Sequence, residues 1–549
     1  MLYVIAGITI PAVLIVLITL YNRKQAQKRL DKIRRAWGQI KDEYFNFSSI
    51  EKYSTINKEP FFHQLSTQTI NDIDFYDLFC FVDRTTSKVG QQYLFDKLSK
   101  PPNDIESLKL LDEQADYFLK DKANREKVQK LLVLLDSQDS YNIAGLLQPK
   151  LFTRPRWLNL IVIDSLLVIL FIVLVPFYHA LTIWLMLLFA LNLFLHFRNK
   201  NNTYQFIKSF PQLNALINIA KILCKEDIPF AKSKAEASII HLKGFQEKFR
   251  FLSFGQTGSS ELQQVALLML ELAKALFLIE LHSFYSLISL LENKQQYVLA
   301  LFQFVGAIDT SISIASLRAG AEQTCKPTFL DNSKAMSATD IYHPLITGCV
   351  LNSIGIYNKS VLITGSNMSG KTTFLRTIAV NALLAQTIFT CFASVYEAPV
   401  VKLFSSIRID DDLLEGKSYY LAEVDTMATL IKEASSGYQN LFLLDEVFKG
   451  TNTVERIASA KAILSYLNKN DNIVIVSTHD LELSELLNKE YDLYHFEESI
   501  IDNKLTFDHL LKQGPLKTRN AIRILALSNY PSEIIEEATN ISTTITKAT

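Results

Sequence analysis

Gly365-Ser366-Asn367-Met368-Ser369-Gly370-Lys371-Thr372-Thr373 follows the pattern G-x-x-x-x-G-K-[ST], and its flanks decide how the C-terminal half of the chain folds. Residues 360–364 before it read as a short buried strand, and the residues from Phe374 onward carry helical periodicity. A helix N-terminus presents free N–H groups and a partial positive charge, and glycines let the backbone close around phosphate oxygens. In such a loop Lys371 reaches the β- and γ-phosphates and the Thr372 hydroxyl holds Mg²⁺, so all nine residues are candidate ATP contacts. A helix start that happens to contain two glycines would leave the Lys-Thr pair unexplained.

Two further strand ends belong with this loop. Residues 440–446 form an apolar run that closes on Asp445 and Glu446. The first acid of such a pair holds Mg²⁺, and the second is placed to polarise an attacking water as general base. Residues 472–477 form another apolar run ending in Thr478-His479-Asp480, which sets His479 at the carboxyl edge of the sheet near a γ-phosphate. The plain alternative for His479 is a turn residue. These elements predict an α/β P-loop ATPase domain over 326–549.

The chain has 549 residues, enough for several cores, and 56 basic against 56 acidic side chains, so no global field points to nucleic acid. Only 17 glycines and 14 prolines punctuate it, well below the roughly 12% of average usage, which favours helix. The five cysteines (Cys80, Cys224, Cys325, Cys349, Cys391) show no metal-ligand spacing and read as reduced, mostly buried thiols.

Residues 2–21 are uncharged and almost wholly apolar, long enough to cross a bilayer core of about 30 Å. Arg23, Lys24, Lys28, Arg29, Lys32, Arg34 and Arg35 follow the run instead of preceding it, so a retained anchor over 1–22 is expected, with its N-terminus outside. A second apolar region, 157–197, would make one helix about 60 Å long, and Pro176 near its middle predicts a hairpin of two spans. Lys150, Arg154 and Arg156 before it and Arg198 and Lys200 after it put both ends in the cytoplasm. Three transmembrane helices result, with helical cytoplasmic segments at 23–156 and 198–325. The 275–291 stretch carries Glu280 and His282 and reads as a buried soluble helix. Asp164 is the acid within the expected spans and reads as reaching headgroups or water.

These motifs resemble those of the MutS family of DNA mismatch-repair ATPases. The family's loop GPNMGGKST is matched at 365–373, its DEIGRGTST by Asp445-Glu446-Val447-Phe448-Lys449-Gly450-Thr451-Asn452-Thr453, and its switch histidine by Thr478-His479. Tyr342-His343-Pro344 matches the His-Pro leading into its ATPase domain, and 408–423 matches RIGASDDL…STFMVE. The tail from Gln513-Gly514 to Tyr530-Pro531 resembles its C-terminal segment, which packs on the partner. Upstream, Asp83, Thr86, Gly90 and Leu94 resemble its core-domain signature, and 261–318 its returning lever helix.

The resemblance implies an ABC-type ATPase domain plus an all-α core and lever, and a homodimer in which Ser418 acts in trans on the γ-phosphate bound by the other copy. It implies ATP and Mg²⁺ as ligands, Thr372 and Asp445 at the metal, and Glu446, His479 and Ser418 as catalytic residues. The family's mismatch-reading and connector domains find no counterpart here, so ATP hydrolysis and dimerisation carry over while mismatch recognition does not. DNA, mismatched, branched or distorted, is the expected partner at the inner membrane face, in a mismatch-repair or DNA-damage-sensing type of role. The alternative is a membrane mechanochemical ATPase working on protein or lipid, and a transporter head is weaker because LSGGQ is missing. The basic run 23–41, eight Lys/Arg against one acid, reads first as a contact to anionic membrane lipid. Adenine contacts are expected around 343–351.

Overall fold

The computed structural model describes residues 19–21, 23–25, 27–148, 158–252, 273, 276–331, 334–366, 368–408, 419–448, 450–501, 504–516, 525 and 530–548. The chain divides into two compact units, one of 1–59, 83–96 and 113–320, the other of 60–82, 97–112 and 321–549.

The first unit is helical. Its central helix, Gln295–Gly320, is buried on nearly every side, through Leu301, Phe302, Val305, Ile308, Ile312 and Ala315 among others. Such an all-round apolar helix belongs in a core or in lipid, and its polar residues decide which. Ser313 Oγ accepts from Arg84 N at 2.8 Å, and Ser316 Oγ from Gly38 N at 2.9 Å. The buried Asp309 carboxylate accepts from Thr86 N, Ser87 N and Ser87 Oγ at 2.8, 2.7 and 2.6 Å. A side-chain carbon on Gly90 would strike that carboxylate at 2.2 Å, which is why the motif needs glycine there. Burial pushes the Asp309 carboxyl up to about 6 against these donors.

The expectation of three spans is not met among the described residues. The one helix there long and apolar enough to cross a membrane is Gln295–Gly320, and 78% of its apolar window is buried inside the protein. Residues 1–18 of the expected anchor lie outside the described residues. The 157–197 region does form a hairpin, from helix Leu158–Leu174 and the start of helix Leu181–Leu223, turning at 175–180 around Pro176. Its apolar stretches, Leu160–Leu174 and Leu181–Leu195, are each about 22 Å long, short of a 30 Å bilayer core. The second helix does not stop at 197 but runs 43 residues, with Pro211 inside it. Asp164 does not point to solvent alone, since Asn192 Nδ2 donates to it at 2.7 Å and to Leu276 O at 2.8 Å. The 275–291 stretch contains the helix Ile279–Leu291, with Phe284, Leu287 and Leu291 buried.

The second unit is mixed α/β. Among the described residues, ten strands form two sheets. The smaller contains β1 (Thr328–Phe329), β2 (Ala335–Ile341), β3 (Asn352–Tyr357) and β5 (Val395–Ala398), in the order β1-β5-β2-β3. The larger has the order β10-β9-β4-β8-β7-β6, from β4 (Ser360–Thr364), β6 (Lys402–Ser406), β7 (Asn440–Asp445), β8 (Ile473–Thr478), β9 (Tyr491–Ile501) and β10 (Lys504–Gln513). From β9 to β6 all pairings are parallel, and β10 returns antiparallel on β9. β4 and β8 are buried throughout and β7 up to its last residue, as unbroken apolar runs covered on both faces should be. Helices Tyr419–Glu433 and Thr453–Leu467 cover one face through Met427, Leu430, Ala460 and Leu464, packed on Leu362, Phe442 and Val474.

Residues 60–82, more than 250 positions ahead of β4, belong to this same unit. Asp72, fully buried, accepts from Ser405 Oγ at 2.6 Å, Ile407 N at 3.0 Å and Arg408 N at 2.8 Å, satisfying the backbone where β6 ends. His63, also buried, bonds Leu403 O at 2.8 Å through Nε2.

Candidate active site

Strand register brings the sequence motifs to one place. Thr364 stands opposite Thr478 across β4 and β8, and Asp445 opposite Ser477 across β7 and β8, so three strands finish level at their carboxyl ends. Ligands of open α/β sheets bind at such an edge. After Thr364 the chain turns through Gly365 (φ 151°), Met368 (φ 72°) and Gly370 (φ 115°) into the helix Lys371–Ile388. A side-chain carbon at Gly365 would lie 2.9 Å from Phe496 O, so the loop has no room for one.

Lys371 is buried and donates to Gly365 O at 2.7 Å and Ser366 O at 2.8 Å, which pins its ammonium over the loop. Thr372 Oγ1 donates to Asp445 Oδ2 at 2.5 Å, and Ser477 Oγ donates to the other oxygen, Oδ1. His479 Nε2 lies 2.6 Å from Glu446 Oε1. Glu446 sits in the left-handed region at φ 56°, as does Phe448 at φ 62°, a conformation costing about 1 kcal/mol or more for a residue with a side chain. The bond from Glu446 N to Ser477 O, 2.9 Å, holds it there. Beside it, Arg456 clamps Asp480 with two bonds of 2.9 and 2.6 Å, fixing the turn that carries His479. Asn452 caps the helix Thr453–Leu467, its Oδ1 accepting from Glu455 N at 3.0 Å, and its Nδ2 donates to Glu455 Oε2 at 2.7 Å.

Above the loop lies a cavity of about 430 Å³. Lys371, Thr372, Asp445 and Glu446 line one end, and Ile346, Cys349, Val350, Phe496 and His509 the other. The stretch expected to meet adenine therefore faces the cavity through 346–350, while His343 is buried beside Arg376. Burial, reinforced by the Arg376 charge, pulls the His343 pKa down to about 4. Of the other loop residues, Ser366, Met368, Gly370 and Thr373 line the cavity, and Ser369 is buried with its hydroxyl on Ser366 O at 2.8 Å. Asn367 and Ser418 lie outside the described residues.

Several neighbours are not among the expected site residues, although Arg408 and Glu423 lie in the matched segment 408–423. His509 occupies a bulge in β10 at φ 54° and its Nδ1 lies 3.0 Å from Ser369 O. Glu423, buried, accepts from Gly450 N at 3.3 Å. Asp74 binds two arginines at once, Arg376 at 2.9 Å and Arg408 at 2.7 Å. The first lies on the helix that begins at Lys371, and the second precedes the segment 409–418. Burial, and next the Arg408 charge, lower the Arg376 pKa, with Asp74 opposing them.

Among the described residues no three His, Cys, Asp or Glu side chains cluster as a protein metal cage. The Thr372–Asp445 pair suits Mg²⁺ instead, an ion that takes one or two protein oxygens and completes its shell with water and phosphate.

The sequence profile of MutS domain V matches residues 361–546. The DNA mismatch repair protein MutS of Thermus thermophilus is 32% identical over 200 residues, 36% of this chain and 24% of that protein. MutS of Listeria monocytogenes serotype 4a is 34% identical over 187 residues, 33% of this chain and 21% of its own length. MutS of Bartonella quintana is 27% identical over 328 residues, 56% of this chain and 35% of that protein. The chain thus spans about a fifth to a third of the length of these relatives.

Proposed function

Because this chain is a MutS-family protein by its ATPase domain, we propose that it is an ATP-hydrolysing, dimerising switch that acts on DNA from the membrane surface. The observation that carries the reading is the convergence of Lys371, Thr372, Asp445, Glu446 and His479 on the level ends of β4, β7 and β8.

Lys371 and the loop amides neutralise charge on the β- and γ-phosphates. Thr372 and Asp445 would hold Mg²⁺, which would supply further neutralisation of phosphate oxygens. Glu446 accepts a hydrogen bond from water and aims its oxygen at γ-phosphorus, while His479 keeps the carboxylate in place. Little covalent chemistry is asked of the protein, so positioning and charge supply most of the acceleration. Ser418 of a second copy completes the site, and two chains together enclose two nucleotides.

Support for the membrane part comes from the hairpin. Leu166, Ile183 and Trp184 are 60%, 66% and 60% exposed, along with most of their apolar neighbours. A soluble surface rarely presents a patch of this kind, and lipid removes its cost. At about 22 Å per arm the hairpin suits insertion to partial depth.

A second reading keeps the ATPase but replaces DNA by a protein or lipid load moved through the hairpin. It is favoured by the continuous helix Leu181–Leu223, which joins the hairpin to the helical unit without a break. Binding of the detergent-solubilised chain to homoduplex, mismatched and junction DNA, with and without ATP, separates the two. DNA binding that weakens steeply with salt supports the first reading. Absence of binding to every DNA at low salt removes it in favour of the second.

A further inference from the structure

All five cysteines are reduced thiols, but the expectation that most are buried is not met: only Cys391 is, and the other four are partly exposed. Two of the five face each other. Cys325 and Cys391 form an isolated antiparallel bridge in which Cys325 N donates to Cys391 O and Cys391 N to Cys325 O, both at 2.9 Å. Residues paired in this way send their side chains to the same face, with Cα atoms roughly 5.5 Å apart. Disulfides span Cα separations of about 4.4–6.8 Å.

The surroundings give the two sulfurs different characters. Cys325 is partly exposed, and its hydrogen bond with the Cys391 thiol outweighs burial and lowers its pKa, enlarging the reactive thiolate fraction. Cys391 is wholly buried just beyond the helix Lys371–Ile388, and its thiol reaches Asn381 O of that helix at 3.7 Å. Cys325 is thus the partly exposed member of the pair and Cys391 the buried one.

We propose that Cys325 and Cys391 are a modification site, closing to an intramolecular disulfide under a hydroperoxide and reopening under a thiol reductant. The Cys325 thiolate attacks the peroxide, breaking the O–O bond to give a sulfenic acid and, after protonation, water or the alcohol. The Cys391 sulfur then attacks the Cys325 sulfur, the S–O bond breaks, and water leaves with the Cys391 proton. Two thiols lose two electrons, and the peroxide gains them. The new bond ties the lead-in to β1 to the turn after the helix that begins at Lys371, and it closes a long loop of the unfolded chain. A loop of this length is where a cross-link restricts the unfolded state most.

The test treats the reduced full chain with hydrogen peroxide, alkylates remaining thiols and maps peptides by mass spectrometry. The expected product is one cross-link between the peptides carrying Cys325 and Cys391, reversed by dithiothreitol and accompanied by a rise of several degrees in melting temperature. Cys391→Ser should instead accumulate a Cys325 sulfenic acid that dimedone traps, a readout that does not depend on the stability of the cross-linked form. The proposal is overturned if Cys325 alkylates equally before and after peroxide, or if it pairs with Cys80, Cys224 or Cys349.

Discussion

The Nε2 of His479 lies 2.6 Å from Oε1 of Glu446, joining the ends of two strands, β7 and β8, that are separate in sequence. The pairing depends on Glu446 holding a left-handed backbone at φ 56°, which turns its side chain across the edge of the sheet. With Glu446 as the water-orienting base, Glu446→Gln should retain ATP binding and lose hydrolysis by a factor of roughly 10²–10⁴. Single-turnover ATPase assays beside equilibrium nucleotide binding check this, and wild-type turnover in the variant would remove Glu446 from its role.

Thr372 Oγ1 and Asp445 Oδ2, 2.5 Å apart, mark where the metal is expected. Thr372→Ala removes one of its two protein oxygens, so the Mg²⁺ concentration for half-maximal hydrolysis should rise at least about tenfold, a loss of ~1.4 kcal/mol. An unchanged Mg²⁺ titration would mean that the threonine serves the fold alone.

Asp74 is the hinge of a charge bridge from the P-loop helix to the segment leading to Ser418. Its two oxygens hold Arg376 and Arg408. Asp74→Asn should lower the turnover number by roughly tenfold, equivalent to ~1.4 kcal/mol of barrier, while leaving ATP affinity within about a factor of two. Asp74→Glu should restore part of the rate. If affinity and turnover fall together and Asp74→Glu is no better, the bridge supports folding only.

Two buried histidines set an acid limit for the ATPase unit. Burial pulls the pKa values of His63 and His343 down to about 4, so both are neutral in the folded chain, whereas the unfolded chain protonates them near 6.5. Below that pH the unfolded state binds more protons. The stability is complete above about 6.5 and is lost as pH falls toward 4, by at most ~1.4 kcal/mol per pH unit for each histidine. Thermal melts from about pH 7 to about pH 5 should therefore show a falling midpoint, and His63→Gln should flatten the slope. A midpoint independent of pH in this window would contradict the assignment.

The parts of the site legible in the sequence are those that adjoin in the chain. The loop from Gly365 to Thr373 and the strand ends at Asp445 and His479 announce themselves, because each couples an apolar run to a polar residue at its end. What brings Asp72 to the end of β6 or His509 to Ser369 is tertiary packing of distant segments, and no local pattern encodes it. The expectation of three spans is not met among the described residues. Hydropathy measures transfer to an apolar surround and does not distinguish lipid from a protein core: Gln295–Gly320, for which no span is expected, is long and apolar enough, yet its serines and Asp309 bind neighbouring backbone. The hairpin is legible through Pro176, but its apolar arms, Leu160–Leu174 and Leu181–Leu195, are shorter than the bounds 157–197 imply, and helix Leu181–Leu223 runs on past its apolar part.

The most direct test of the central claim is the ATPase rate per chain, measured with Mg²⁺ across a range of protein concentrations for the wild type, Lys371→Ala, Ser418→Ala and an equimolar mixture of the two variants. The account predicts a specific rate that rises with concentration, near-complete loss in each variant alone, and partial recovery in the mixture, where one composite site regains both Lys371 and Ser418. A specific rate that is flat with concentration, or a Lys371→Ala chain as active as wild type, would contradict it.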